Sequence, residues 1–339
     1  EGNKNHPASG GSSNVFMQAE MLNLYDPDRS QMVLNQGKNS NWNAYRAAWE
    51  KQAEEYAKNG GEGLAVLSEG FASPTMMRLS KAFMKKFPQA QWITYDSVSD
   101  ENIFAGVQAA TGKRAQPRYN FKEANVVLSL DSDFLQMDSN DIPNARDFAS
   151  RRKVRSEKDS MNRLYVVEGT YTITGGMADH RLRVQNGQIG MIAAALAHEL
   201  SAQGLDISAP RVNADFDKKW ITALAKDLIH NKGKSLVLGG RRQPAEVHTL
   251  IALINDVLSN TTKTVSYTAN PDMQVSNLKS FMELNKTMNE GKIKSLIILG
   301  GNPVYQAPAD IDFAAALNKV KYSVHLSSHV DETSANTTW

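Results

Sequence analysis

Four glycine-bearing positions close short apolar runs in this chain, and they are the first places to look for chemistry. They are Gly70, Gly169, the pair Gly239-Gly240, and the pair Gly300-Gly301 with Asn302 behind it. Glycine at such a point lets backbone approach a ligand, and a helix starting just beyond it offers free N–H groups to an anion. Arg241, Arg242 and His248 follow the third position and are of the right types to meet phosphates or a substrate anion. After another apolar run, Asp131, Asp133, Asp138 and Asp141 crowd the stretch 129–141. Their spacing matches an EF-hand only loosely, since no Gly stands at the sixth loop position and no Glu at the twelfth.

Other chemistries lack their residues. No G-x-G-x-x-G is present, so the usual dinucleotide fingerprint is missing. Gly233-Lys234-Ser235 looks like the end of a P-loop, but Leu228 stands where its first Gly belongs and the strand follows the motif instead of preceding it. His198-Glu199 is not H-E-x-x-H, because Ala202 occupies the second His position. No G-x-S-x-G exists for a nucleophile elbow. With 0 cysteines the chain offers no thiolate to an iron–sulfur cluster or zinc ion and no disulfide, which fits an oxidising compartment.

The elements that must position these residues are legible in the hydrophobic pattern. Apolar runs of five to seven residues at 63–70, 91–95, 125–130, 163–169, 235–240, 293–301 and 321–327 read as strands buried on both faces. Between them the pattern predicts helices over 76–87, 100–111, 188–203, 216–231, 245–258 and 275–289. A further helix is predicted over 40–59, with Ser40 as its N-cap. Strand–helix alternation implies parallel pairing through right-handed crossovers. The expected fold class is therefore α/β, with three-layer, doubly wound, mostly parallel sheets in two lobes.

We divide the chain into an extended N-terminal arm (1–39), one α/β lobe (40–210) and a second (211–339), with the turn-rich stretch 205–215 at the boundary. The basic stretch 146–160 reads as a charged helix or loop inserted after the third strand. A chain that opens on Glu1 and closes on Trp339 reads as a piece of a longer one. Its 339 residues are 41% hydrophobic and 22% charged, with a net charge of +2, so no global basic field argues for nucleic acid. No apolar run approaches the ~20 residues that span a bilayer.

Several stretches together carry a resemblance. The segments 1–11 (EGNKNHPASGG), 24–31 (LYDPDRSQ), 165–184 (YVVEGTYTITGGMADHRLRV), 296–308 (LIILGGNPVYQAP) and 329–334 (HVDETS) fall in the order seen in molybdopterin oxidoreductases. More narrowly, the set resembles the molybdopterin-oxidoreductase-like half of the large iron–sulfur subunit of alternative complex III, the bacterial quinol:cytochrome c oxidoreductase.

The resemblance implies α/β domains of the DMSO reductase and formate dehydrogenase type. In active members these grip two pterin–guanine dinucleotides at their strand ends, with Cys, Ser or selenocysteine on the metal. Gly300, Gly301 and Asn302 keep one glycine loop of that scheme, and Thr174, Ala178 and Asp179 keep part of a second element. Ser12-Ser13-Asn14 replaces a cysteine-bearing stretch, Leu130-Asp131-Ser132-Asp133 replaces a glycine loop, and Gln185-Asn186-Gly187-Gln188 replaces a P-G-T-D turn. Ser97 or Ser99 would be the nearby oxygen ligand.

A carboxylate about 4 Å from a pyrophosphate oxygen costs roughly 4 kcal/mol at an effective dielectric near 20. The leading expectation is thus a cofactor-free, non-catalytic scaffold domain in a respiratory electron-transfer complex. The resemblance places it in the periplasm, with cytochrome c and membrane-anchor subunits as partners and a downstream iron–sulfur domain. Residues 1–37 and 146–158 are the expected subunit contacts. One alternative is an active molybdenum or tungsten domain holding molybdopterin guanine dinucleotide at 131–133, 239–243 and 300–303. Another is a nucleotide- or anion-binding module using 239–243. If a pterin or nucleotide is retained, Gly239, Gly240, Arg241, Gly300, Gly301 and Asn302 are the residues expected to bind it.

Overall fold

A computed structural model describes residues 2–210, 216–270 and 273–339. Near the N-terminus, Asn14 accepts a hydrogen bond from the Met17 amide and starts a helix, α1 (Val15–Leu24), inside the stretch expected to be extended. A small hairpin follows, β1 (Leu34–Asn35) with β2 (Lys38–Asn39), turning at Gln36-Gly37, both at positive φ. Helix α2 (Trp42–Lys58) is capped by the Asn41 side chain, which accepts from the Ala44 amide, rather than by Ser40.

The strand–helix repeats then begin. They are β3 (Leu64–Ser68) and α3 (Pro74–Lys86), then β4 (Gln91–Thr94) and α4 (Glu101–Thr111), then β5 (Gln116–Tyr119). Next come β6 (Val126–Leu130) and α5 (Asp141–Ser150), β7 (Arg163–Glu168) and the single turn α6 (Ile173–Gly176), β8 (His180–Arg183) and α7 (Ile189–Ala202). Helix α8 (Lys218–His230) leads to β9 (Ser235–Gly239), α9 (Ala245–Val257) and β10 (Val265–Thr268). The chain ends with α10 (Leu278–Asn289), β11 (Ser295–Leu299), the short turns α11 (Pro303–Gln306) and α12 (Phe313–Leu317), β12 (Tyr322–Leu326) and α13 (Glu332–Ala335). All seven apolar runs are strands. Among the described residues five short strands, β1, β2, β5, β8 and β10, lie outside them.

Two compact units result, and their segments interleave in sequence: 1–18 with 100–271, and 19–99 with 272–339. The division expected at 210/211 was sequential, and 211–215 lie outside the described residues. Interleaving follows from strand pairing. In the first unit a parallel sheet has the order β8-β7-β6-β9, with Leu130 opposite Gly239 on one side and Val167 on the other. In the second, a parallel sheet has the order β12-β11-β3-β4, with Leu299 opposite Ser68. An antiparallel ribbon, β5 with β10, accompanies the first sheet. The two Gly-Gly pairs, expected at the ends of two strands of one lobe, therefore belong to different sheets, because each strand pairs with a much earlier one.

Both sheets are covered on both faces. In the first unit, Ile192, Leu196, Leu224, Leu228, Ile251 and Ile254 from α7, α8 and α9 pack on Leu128, Leu130 and Val237. On the other face Phe121, Phe134 and Phe148 pack with Val127, Leu164 and Leu236. In the second unit Phe281, Leu284 and Phe313 cover Leu67, Leu296 and Ile298, while Tyr56 and Phe87 pack on Leu64. At about 25 cal/mol per Å² of apolar area, this burial is what drives each sheet together. The strands with fully buried residues, β3, β6 and β9, are those the apolar runs mark most clearly.

Candidate functional site: the glycine turns at the strand ends

In an open parallel sheet, ligands sit outside the carboxyl ends of strands where the winding direction reverses. In the first unit that point lies between β6 and β9, since β7 and β8 continue to one side of β6 and β9 lies on the other. It is the meeting place of Leu130-Asp131 and Gly239-Gly240. In the second unit the corresponding point lies between β3 and β11, where Glu69-Gly70 meets Gly300-Gly301.

The first crevice is closed by its own residues. Gly240 N donates to the Leu130 carbonyl at 2.9 Å. A Cβ on Gly240 would overlap the Asp131 carbonyl oxygen and lie 2.6 Å from its carbon, so glycine is required there by protein packing. Asp131 takes positive φ (61°), and its carboxylate turns inward. Arg242 Nη2 donates to it at 3.1 Å and Gln243 Nε2 at 3.0 Å.

Asp133 accepts from the Thr174 amide at 3.0 Å and hydroxyl at 2.7 Å, which ties the expected T…AD element to this loop. Asp179, the last residue of that element, accepts two bonds from Arg152 at 2.9 and 2.7 Å. Asp141 faces the N-terminal segment, accepting from Asn14 Nδ2 at 3.0 Å. Asp131 and Asp133, expected to oppose a diphosphate from the loop surface, are instead buried and satisfied. The reason is long-range: their partners lie far along the chain.

Arg241 is engaged in the same way. Its Nη2 donates to Ser139 Oγ at 2.7 Å, and its Nε lies 3.4 Å from Asp100 and 3.7 Å from Asp138. Ser132 Oγ donates to Asp138, and burial pushes that carboxyl above the usual range. The space left among Asp100, Tyr119, Ser132, Asp138, Ser139 and Gly239 is about 30 Å³. That volume holds about one water.

His248, on α9, packs behind Gly239, where a Cβ would sit 3.2 Å from its Cε1. Burial pushes the His248 pKa down to about 4, so the imidazole is neutral and carries no charge to an anion. Sequence reasoning missed Asp100, Gln116 and Ser139 as members of this cluster. No local pattern marks them, because they come from separate elements.

At the second turn, Gly300 and Gly301 take φ of 72° and 67°, a backbone shape that favours glycine. Here Glu69 lies over the turn: a Cβ on Gly300 would be 3.1 Å from Glu69 Oε2, and one on Gly301 3.4 Å from Glu69 Cγ. Burial, and then the nearby Asp96, raise the Glu69 pKa. The turn is also locked from behind. His325 Nε2 bonds the Gly301 carbonyl at 2.9 Å, and its Nδ1 bonds Ser334 Oγ at 2.9 Å. Asn302 accepts from the Thr333 hydroxyl at 2.7 Å and donates to Glu332 at 2.6 Å. The GGNP and HVDETS segments, read separately in the sequence, thus form one hydrogen-bonded unit.

Neither turn, as folded, fits a diphosphate. The first has no room and its cations already hold carboxylates, and the second faces Glu69. A larger open groove of about 630 Å³ lies at the ends of β7 and β8, lined by Gly169, Thr170, Arg183, Gln185, Asn186 and Gln188. Ser97 and Ser99 lie in the β4–α4 loop. Among the described residues no group of three or more His, Cys, Asp or Glu side chains is arranged to hold a metal ion, and no helix is long and apolar enough to cross a membrane.

No family model matches the chain. It is 26% identical over 375 residues to the menaquinone reductase molybdopterin-binding-like subunit of Nitratidesulfovibrio vulgaris, which covers 98% of this chain and 52% of the relative. The chain thus spans about half the length of that curated relative. Its structure is similar to acetylene hydratase from Pelobacter acetylenicus, with a TM-score of 0.68 and 10% identity over 98% of this chain and 57% of that one. It is also similar to the formyltransferase/hydrolase complex from Methylorubrum extorquens, at a TM-score of 0.50 and 14% identity over 82% of this chain and 77% of that one. In fold the chain is molybdopterin-oxidoreductase-like.

Proposed function

We propose that this chain is a non-catalytic, cofactor-free scaffold in a respiratory, quinone-linked electron-transfer complex, held at the membrane through partner subunits on the periplasmic side. The observation that carries the reading is the closed crevice between β6 and β9. There Asp131 occupies Arg242 and Gln243, and Gly240 packs on the Asp131 backbone. A fold does not guarantee the chemistry of its relatives. What this arrangement supplies is rigidity: the inward-turned carboxylates of Asp131 and Asp133 tie their loop to Arg242, Gln243 and Thr174. The relative's name, a molybdopterin-binding-like subunit of a menaquinone reductase, supports membership in a multisubunit assembly. The narrower assignment, to a quinol:cytochrome c oxidoreductase with cytochrome and membrane-anchor partners, rests on the motif resemblance.

The test is elemental analysis of the full-length protein purified from its native host. We expect molybdenum and tungsten below one-tenth of an atom per chain, and no pterin fluorescence after acid release. Stoichiometric metal with releasable pterin would establish the alternative, an active molybdenum or tungsten domain. Calorimetric titration with pyrophosphate or GDP tests the anion-module reading. We expect no heat of binding at millimolar ligand, because Arg241 and Arg242 are already paired.

A further inference from the structure

Asp100 stands immediately before α4, where an aspartate ordinarily caps a helix, yet its carboxylate makes no capping bond. It lines the small space beside Gly239 instead. Asp100 Oδ2 accepts from Ser139 Oγ at 2.7 Å, and that same hydroxyl accepts from Arg241 Nη2 at 2.7 Å. Asp100 Oδ1 and Arg241 Nε are both buried, and neither has a hydrogen-bond partner among the described residues. They lie 3.4 Å apart without the alignment of a hydrogen bond, and Asp138 Oδ1 lies 3.7 Å from the same nitrogen. The other oxygen of Asp138 accepts from Ser132 Oγ.

A buried polar atom without a partner costs the full penalty of its lost hydration, so these three atoms call for an occupant that answers all of them. The nitrogen needs an acceptor, and the two carboxylate oxygens need donors. A monovalent cation would satisfy the oxygens, but it offers the nitrogen no lone pair and sets a second positive charge beside Arg241. A halide would satisfy the nitrogen, but it opposes both carboxylates. An apolar filling would satisfy none. Water accepts one bond and donates two, which matches the three atoms in number and in direction. About three bonds is also what a buried water ordinarily makes. The space, lined by Asp100, Ser132, Asp138 and Ser139, is about 30 Å³ and admits one such molecule. Polar atoms as close as Asp100 Oδ1 and Arg241 Nε leave room for one oxygen at hydrogen-bonding distance from both.

We propose that the crevice at the ends of β6 and β9 is a binding site for a single resident water, which accepts from Arg241 Nε and donates to Asp100 Oδ1 and Asp138 Oδ1. The molecule joins three pieces that are separate in sequence: the start of α4, the 131–140 loop and the turn after β9. It also engages an Arg241 donor that would otherwise be free to meet an anion, so solvent seals the crevice together with the side chains. The site lies wholly within the first unit and is independent of the subunits with which the chain assembles.

The test is a crystal structure of the full-length chain at a resolution that shows ordered solvent, with a second crystal soaked in thallium(I) acetate. Expected is one peak of oxygen-like density at hydrogen-bonding distance from the three named atoms, and no thallium anomalous signal there. A second reading comes from solution, with the arginine side chains labelled with nitrogen-15 and the Arg241 Nε–H signal assigned by its loss in Arg241→Lys. Expected is a nuclear Overhauser cross-peak from that proton to water, of the sign given by a long-lived, protein-bound molecule. Asp138→Leu removes one acceptor and brings methyl groups to the space, and it is expected to abolish the cross-peak while the Arg241 signal persists.

A crystal with no density at the site, and Arg241 Nε donating directly to Asp100 or Asp138, overturns the proposal. So does a wild-type chain without the water cross-peak, or a cross-peak that keeps its full strength in Asp138→Leu. A thallium peak overturns it in favour of a monovalent cation, and density of a halide's strength in favour of an anion.

Discussion

The turn after β9 and the turn after β11 look alike as strings of residues, each an apolar strand ending in Gly-Gly. They also hold the same topological place in their sheets, beside the first strand of the reversal. Each meets an acidic residue from that neighbour, the backbone of Asp131 in one case and the side chain of Glu69 in the other. The resemblance ends with the partners. Asp131 is held by Arg242 and Gln243 inside a packed crevice. Glu69 lies over a turn of positive-φ glycines, beside Asp96, with burial raising its pKa. The first glycine pair is required by close approach of backbone to backbone, the second by backbone dihedrals. One pattern in a sequence can therefore answer two different physical demands.

Substitutions separate the two demands. The largest effect is expected for Gly240→Ala, whose Cβ must displace the backbone of Asp131 and Ser132. We expect a loss of about 3 kcal/mol in urea unfolding, the scale of overpacking a close contact. A loss below about 1 kcal/mol would mean the crevice is looser than described.

Next is His248, neutral in the fold because burial lowers its pKa from 6.5 to about 4. The unfolded chain takes up a proton between those values and the folded one does not. Stability therefore falls as pH drops from about 6.5 to about 4, by about 3 kcal/mol. His248→Gln should remove that share of the acid sensitivity, read by urea unfolding at pH 7 and at pH 4.5.

Gly301→Ala is expected to cost less, about 1–2 kcal/mol, the price of an L residue in the left-handed region. An alanine loss as large as that at Gly240 would erase the contrast between the turns.

The smallest effect belongs to Glu69. Its raised pKa means that the fold binds a proton more tightly than the unfolded chain. Its contribution is thus favourable at low pH and is lost as pH rises from the ordinary 4.5 through the raised value. Glu69→Gln should raise the melting temperature at pH 7, on the order of a degree, because the group is partly screened by solvent. No change, or a fall, would place the carboxylate away from the turn.

How far the sequence could be read depended on whether a feature is local. The strands of β3, β6, β9 and β11 were visible because burial on both faces demands a continuous apolar run. Helices α8, α9 and α10 lie within three residues at each end of their expected spans, because a 3.6-residue periodicity survives without context. Helix α1 was missed. Its apolar residues surround it, so no stripe marks a buried face, and its Gly-, Ser- and Asn-rich surroundings read as an arm. Strands β5 and β10 were missed because each is four residues long, with Pro117 in the first, and their pairing joins residues about 150 positions apart.

The amino-acid order by itself determined the α/β class, the strand-end glycines and the set of motifs that carries the resemblance. These follow from hydrophobic period and residue type, which act over a few residues. Only the tertiary structure decided that the two Gly-Gly turns belong to different sheets, that Asp131 answers Arg242, and that GGNP closes on HVDETS. Those outcomes depend on which strands pair and which polar groups share a desolvated space, and partners from about 30 to about 230 residues apart leave no periodic trace in the chain.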